Sequence, residues 1–230
     1  MRKKFKAVLD IYMKSVPEVH IPCDRCLNTK RWDGNVVLMV IDAAFTSIGL
    51  NYFTSVVPAV ERFRITYTET GIITSCSDLV KTPLSNLKNI WKNKRSWNTA
   101  KQICSYLMKS GNDRAAFRNW AKKAGPALWK VDPIGSINGV GINTFQYLRM
   151  MGGIDTVMPD KIVKRVVYEI MDKAGITEKP EKDVEFILFL EDTARACGYR
   201  PIDVCWMTWL VQSEGERVRS DKYKDILGKI

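Results

Sequence analysis

Apolar residues recur at the three- and four-residue spacing of α-helices along almost the whole chain. The clearest example is the set Trp97, Ala100, Ile103, Cys104 and Leu107. A chain of 230 residues with this pattern is long enough to bury a sizeable core. Strand signals are few, with residues 63–67 as one modest candidate. The sequence therefore predicts an all-α fold.

Glycine and proline divide this pattern into separate helices. We expect a loop over residues 18–33 and a mobile, charged tail after Ser220. The predicted helices cover residues 2–14, two segments within 36–60, short stretches after Ser77 and Pro83, and residues 97–109, 112–123, 142–151, 160–174, 180–197 and 201–215.

Basic residues are concentrated in one part of the chain, whose formal net charge is +11. Residues 81–123 hold eight lysines and three arginines against one acid, Asp113. Trp91, Trp97 and Tyr106 lie among these charges, a pattern that suits contact with nucleic-acid phosphates. The alternatives are a solvated face of ordinary helices and an RNA-binding or membrane-surface protein.

The composition also limits chemistry and compartment. No apolar run reaches the length of a membrane span, and the basic start lacks a secretory signal, so we expect an intracellular protein. His20 is the sole histidine, which argues against Ser-His-Asp and Cys-His catalysis. Cys23 and Cys26 have metal-ligand spacing and follow His20 closely, but reduced structural thiols are the favoured interpretation.

The most informative segment contains Gly139 and Gly141, in Ile137-Asn138-Gly139-Val140-Gly141-Ile142-Asn143-Thr144. We expect it to form a turn between two helices, in which glycine permits unusual dihedrals and close backbone approach. The free N–H groups at the start of the second helix form an anion site. The segment therefore predicts a sequence-independent grip on a DNA phosphate.

Asp160 follows this turn by 19 residues, at the mouth of the next predicted helix. A carboxylate at such a position can stabilise a developing positive charge or deprotonate an attacking water. The alternative is that Asp160 serves as a helix N-cap, a role that can coexist with catalysis.

These two segments resemble the helix-hairpin-helix DNA glycosylases of the endonuclease III-like superfamily. The hairpin departs from the family pattern at Asn138, where the family has proline, and at Phe145, where it has alanine. The run from Asp160 to Val166 is close to the adenine-mismatch branch. The resemblance implies two lobes, a bundle of residues 33–132 and a lobe of residues 133–230 on which residues 1–32 pack, with a DNA-binding cleft between them.

The resemblance also implies the type of reaction. Asn143 occupies the position where bifunctional members carry a Schiff-base lysine, so a monofunctional enzyme is expected. Cys197 and Cys205 alone occupy the region where the family binds an iron–sulfur cluster, so we expect no cluster and no organic cofactor. The family hairpin binds K⁺ or Na⁺ through backbone carbonyls, here those of Gly135, Ile137 and Val140.

Further roles follow from the same resemblance. The hairpin residues Gly139 to Thr144 and Lys164 are expected to bind phosphates, and Lys161 and Asn143 are active-site candidates. Trp206 and Trp209 are expected in the core. The candidates for base stacking or insertion into the duplex are Phe45, Asn51 and Tyr52. For Phe45 the alternative is that it packs in the hydrophobic core.

The implied partner is double-stranded DNA with a damaged or mismatched base. The protein is expected to act as a monomer, not on membranes, in the cytoplasm with the nucleoid or in the nucleus. The alternatives are a non-catalytic DNA-binding module with a helix-hairpin-helix motif, and a bifunctional glycosylase/lyase that uses another lysine, such as Lys161.

Overall fold

The computed structural model describes residues 2–228 and 230, which are mostly helical. Within them lie the α-helices α1 (Arg2–Lys14), α2 (His20–Leu27), α3 (Val36–Thr46), α4 (Val57–Phe63), α5 (Cys76–Lys81), α6 (Leu84–Leu87), α7 (Lys94–Leu107), α8 (Asp113–Lys123), α9 (Ile142–Met151), α10 (Lys161–Lys173), α11 (Asp183–Ala196), α12 (Pro201–Leu210), α13 (Arg219–Lys222) and α14 (Lys224–Leu227). One antiparallel pair joins β1 (Ser213–Glu214) to β2 (Arg217–Val218). The expected all-α class is confirmed.

Helix α3 lies at the centre of the fold. Asn35 caps it by accepting the Leu38 N–H at 3.1 Å, and every residue from Val36 to Phe45 is buried. A helix that is apolar on all sides belongs in the core of a protein. Helices α4, α5, α7, α8 and α9 pack against it.

The N-terminal helices pack against the second half of the chain. Helix α1 lies against α10 and α12, and α2 lies against α9 and α12. The buried apolar side chains form one continuous core that includes Phe5 of α1 and Ile230. The division into two lobes stays a prediction.

Several local predictions were wrong. Residues 20–27, expected in a loop, form α2, because Pro22 falls in its first turn, where proline is tolerated. The strand candidate at residues 63–67 is helical, since a π-helical turn, Arg64–Thr68, continues α4. The tail expected to be mobile forms α13 and α14, and it buries Tyr223 and Leu227.

The described residues contain no helix that is both long and apolar enough to cross a bilayer.

Candidate active site

The glycine segment forms a tight turn that leads into α9. Gly139 has φ +99°, and a Cβ built there would lie 2.2 Å from Thr99 Oγ1. The same hydroxyl donates to the Asn138 carbonyl at 2.9 Å, which fixes the turn on α7. The helix expected before the turn is absent: residues 129–139 form consecutive hydrogen-bonded turns instead.

The first turn of α9 presents mainly backbone groups to a ligand, together with the Asn143 side chain. Gly141 and Asn143 are exposed, and a Cβ at Gly141 would meet nothing within 4 Å. The side chains of Val140, Ile142 and Thr144 are buried, so their N–H groups are what they can offer to a phosphate.

Part of the basic stretch lies directly beside this turn. Arg95, near the start of α7, donates to Asn138 Oδ1 at 3.4 Å. Lys92, Lys94 and Arg95 are all exposed. The structure therefore brings Arg95 next to the glycine turn, although the two are 43 positions apart in the chain, and Lys92 and Lys94 are its exposed neighbours in sequence.

Asp160 caps α10, and its carboxylate is held on both oxygens. Oδ1 accepts the backbone N–H groups of Ile162 at 2.7 Å and Val163 at 3.0 Å. Oδ2 accepts the indole N–H of Trp209 at 2.8 Å. Burial raises the pKa of the Asp160 carboxyl above its ordinary value, and these three hydrogen bonds together with the charge of Arg219 oppose the rise.

The segment between α9 and α10 runs back along part of α9. At the far end of α9, the Arg149 carbonyl accepts the Ile154 N–H at 3.1 Å. One turn nearer the start of the helix, Gln146 Nε2 donates to the Val157 carbonyl at 2.8 Å. The segment therefore passes from the end of α9 to Gln146 before it reaches Asp160.

The two lysines predicted near Asp160 differ in their surroundings. Lys161 is exposed in the first turn of α10. Lys164 forms an ion pair with Asp183 at 2.7 Å and lies over the Phe186 ring. A phosphate contact by Lys164 would therefore compete with an existing partner.

The three candidates for base stacking or insertion lie in different environments. Phe45 is fully buried and stacks on Trp91 with ring centroids 4.4 Å apart. It therefore lies in the core, the alternative position expected for it. Tyr52 is also buried, and its hydroxyl donates to Asp42 Oδ2 at 3.0 Å. Asn51 is exposed, and its side chain donates to Glu214 at 3.5 Å.

A buried polar cluster beside Tyr52 was missed at the sequence level. Arg31 donates to Asp42 Oδ2 at 3.3 Å, with both side chains fully buried. The same oxygen accepts the Trp32 indole N–H at 2.7 Å and the Tyr147 hydroxyl at 3.0 Å. Burial raises the pKa of both tyrosines. The sequence signal was Asp42, a lone acid within an apolar helix.

The residues considered as metal ligands are not arranged around a common point. Cys23 and Cys26 are buried in α2, whereas His20 is exposed. Among the described residues, no three His, Cys, Asp or Glu side chains are grouped to hold a metal ion. In the hairpin, the Ile137 carbonyl accepts the Val140 N–H at 2.9 Å, so it is already used in the turn.

Trp209 is the site residue that the sequence did not reveal, because it was expected in the core. It is only partly buried, and its partner lies 49 positions away in the chain. No protein-family model, curated protein or solved structure matches this chain. The function is therefore argued from the geometry of these residues and from the motif resemblance.

Proposed function

We propose that this protein is a monofunctional DNA glycosylase that releases a damaged or mismatched base from duplex DNA. The observation that carries the proposal is the buried Asp160 carboxylate, fixed on one oxygen by the first turn of α10 and on the other by Trp209. A phosphate held at the turn would bring a neighbouring nucleotide within reach of that carboxylate.

The chemistry requires one water and no other reactant. The bond from C1′ to the base nitrogen breaks, and the sugar gains oxocarbenium character. Asp160 stabilises this charge and accepts a proton from the water that attacks C1′. The departing base takes up a proton, and the products are a free base and an abasic site.

Asn143 supports the monofunctional assignment. It is exposed in the first turn of α9, and its amide cannot form a Schiff base with the sugar. Lys161, exposed beside Asp160, is the residue that a bifunctional alternative would use.

The remaining parts of the proposal concern DNA contact. The duplex lies in a cleft between the two lobes, with Lys94 and Arg95 on its phosphates beside the turn. The backbone carbonyls of Gly135, Ile137 and Val140 would hold a K⁺ or Na⁺ ion at the hairpin, which would supply positive charge for a phosphate. The protein acts alone, in the compartment that holds the genome.

A base-release assay tests the proposal. End-labelled duplexes each carry one candidate base: uracil or thymine in mismatches, adenine opposite oxidised guanine, oxidised guanine, or an alkylated purine. The products are read with and without hot alkali. Strand breaks that require alkali support a monofunctional glycosylase.

Two other outcomes contradict it. Cleavage without alkali, with a borohydride-trapped adduct that Lys161→Ala removes, would make the protein bifunctional. Tight binding without product on any duplex would favour a non-catalytic module that holds phosphates.

A further inference from the structure

The end of the chain folds back over the residues around Asp160. Residues 212–228 and 230, here called the strap, contain β1, β2, α13 and α14. At its start, Gln212 accepts a hydrogen bond from Arg165 of α10. At its end, the Ile230 carbonyl accepts the Arg25 Nε–H at 2.7 Å. The strap therefore spans from α10 to α2.

The strap covers the aromatic partner of Asp160. The Arg219 guanidinium lies 5.2 Å from the centre of the Trp209 ring, within cation–π range. The indole N–H of that ring is the donor to Asp160. Arg219 is also close enough to oppose the rise in the pKa of Asp160.

The strap also covers the segment that was expected to meet the extruded base. The Tyr223 ring stacks on Phe53, with centroids 4.0 Å apart and planes 11° from parallel. Aromatic side chains stack on nucleobases through the same flat contact. Tyr223 therefore occupies a stacking surface next to Asn51 and Tyr52.

One carboxylate joins these two contacts. Glu214 accepts hydrogen bonds from Arg219 at 2.8 Å, from Lys222 at 3.1 Å and from the Tyr223 hydroxyl. It is also the partner of Asn51. Burial alone would raise the pKa of Glu214, but the three hydrogen bonds from the strap lower it to about 2. The carboxylate is therefore ionised at any working pH and holds Arg219 and Tyr223 in their positions on Trp209 and Phe53.

We propose that the strap is an autoinhibitory segment, in which Tyr223 takes the stacking place of an extruded nucleotide and must be displaced when DNA binds. This inference rests on the proposed function, because it assigns a closed and an open state to that site. Phe53 and Trp209 are covered in the closed state and available to DNA in the open state, in which Asn51 is also released from Glu214.

The strap is tested first without any catalysis. Hydrogen exchange of residues 212–228 is followed before and after addition of a duplex that carries one central tetrahydrofuran abasic site. Displacement predicts faster exchange in the strap on DNA binding. Unchanged or slower exchange in the bound complex would overturn the proposal.

Two variants release the strap from different contacts. Tyr223→Ala removes the stack, and Glu214→Gln removes the charge that holds Arg219 and Lys222. If about one-tenth of the molecules are open in the wild type, both variants tighten binding to this duplex up to about tenfold. Lys224→Gln is the matched control, because it breaks an exposed ion pair of the strap with Glu18 and should leave affinity unchanged.

The two proposals fail in different ways. Weaker or unchanged binding in both Tyr223→Ala and Glu214→Gln would refute the strap, whether or not a base is released. Faster strap exchange together with no base release from any duplex would refute the glycosylase and retain a strap that gates DNA binding.

Discussion

Trp209 and Asp160 are joined by a hydrogen bond of 2.8 Å from the indole N–H to Oδ2, across 49 positions of the chain. This bond favours the ionised carboxylate, whereas burial favours the protonated one. The bond therefore opposes the effect of burial and favours the charged form that the proposed reaction needs.

The first prediction concerns the pH dependence of base release. In the proposed reaction ionised Asp160 is the active form, and its pKa is raised, so activity should fall as the pH drops through that pKa. Trp209→Phe removes a hydrogen bond to the charged form, so it raises the pKa further and moves the acid limb to higher pH. Single-turnover rates measured across pH check this.

A matched control exists on the same helix. The indole N–H of Trp206 has no hydrogen-bond partner among the described residues. Trp206→Phe should therefore leave the acid limb where it is. An equal displacement in both variants would mean that Trp209 acts through packing rather than through Asp160.

The second prediction separates the two glycines of the turn. Gly141→Ala costs less than about 1 kcal/mol, because its φ is −93° and its surroundings are open. It should nevertheless weaken DNA binding, since the added methyl group blocks close approach of a phosphate. Thermal unfolding and binding to duplex DNA, measured in parallel, check this.

Gly139→Ala should behave in the opposite way. A positive φ and a Cβ 2.2 Å from Thr99 Oγ1 make alanine costly there, by about 2 kcal/mol or more. Its main effect is therefore on stability. Wild-type affinity in a well-folded Gly141→Ala protein would exclude the turn as a phosphate grip.

The third prediction concerns salt. Arg95 is exposed beside the glycine turn, and each phosphate contact contributes about 0.9 to the slope of log K against log salt. Arg95→Gln should therefore reduce the magnitude of that slope by about 0.9. Binding isotherms at several salt concentrations measure it.

Lys101 provides the control within the same basic stretch. Its ammonium donates to the Val80 carbonyl at 3.1 Å and to the Thr82 carbonyl, and burial lowers its pKa. Lys101→Gln should lower stability and leave the salt slope unchanged. A reduced slope in Lys101→Gln and an unchanged slope in Arg95→Gln would indicate that DNA does not bind beside the glycine turn.

The fourth prediction concerns the buried ion pair. Asp42→Asn leaves Arg31 buried without a charged partner, which should cost about 3–5 kcal/mol of unfolding free energy. Tyr147→Phe removes one hydrogen bond and should cost about 1 kcal/mol. Denaturant unfolding measures the loss of unfolding free energy in both variants. A smaller loss in Asp42→Asn than in Tyr147→Phe would contradict a structural role for the Arg31–Asp42 pair.

The sequence predicted the helices and helix starts that are determined by residues close together in the chain. The 13-residue α10 begins directly after Asp160, as its capping position indicates, and α9 covers the predicted residues 142–151. Helical periodicity and capping are local signals, so one sequence is enough to place these elements.

The remaining features depend on contacts between distant segments. Nothing near Trp209 indicates that its indole reaches Asp160, and nothing near Tyr223 indicates the stack on Phe53. The tail was expected to be mobile because it is charged, but Glu214 turns those charges into internal partners. Such pairings are set by the tertiary packing.

The most direct test of the account compares wild type with Asp160→Asn on the duplex that the base-release assay identifies. Asparagine can still cap α10 through its amide oxygen, but its NH2 group then faces the Trp209 indole N–H, so stability should fall by about 1–3 kcal/mol while DNA affinity is kept. The single-turnover rate of base release should fall about 100-fold or more. Release at the wild-type rate by a folded, DNA-binding Asp160→Asn protein would contradict a catalytic role for this carboxylate.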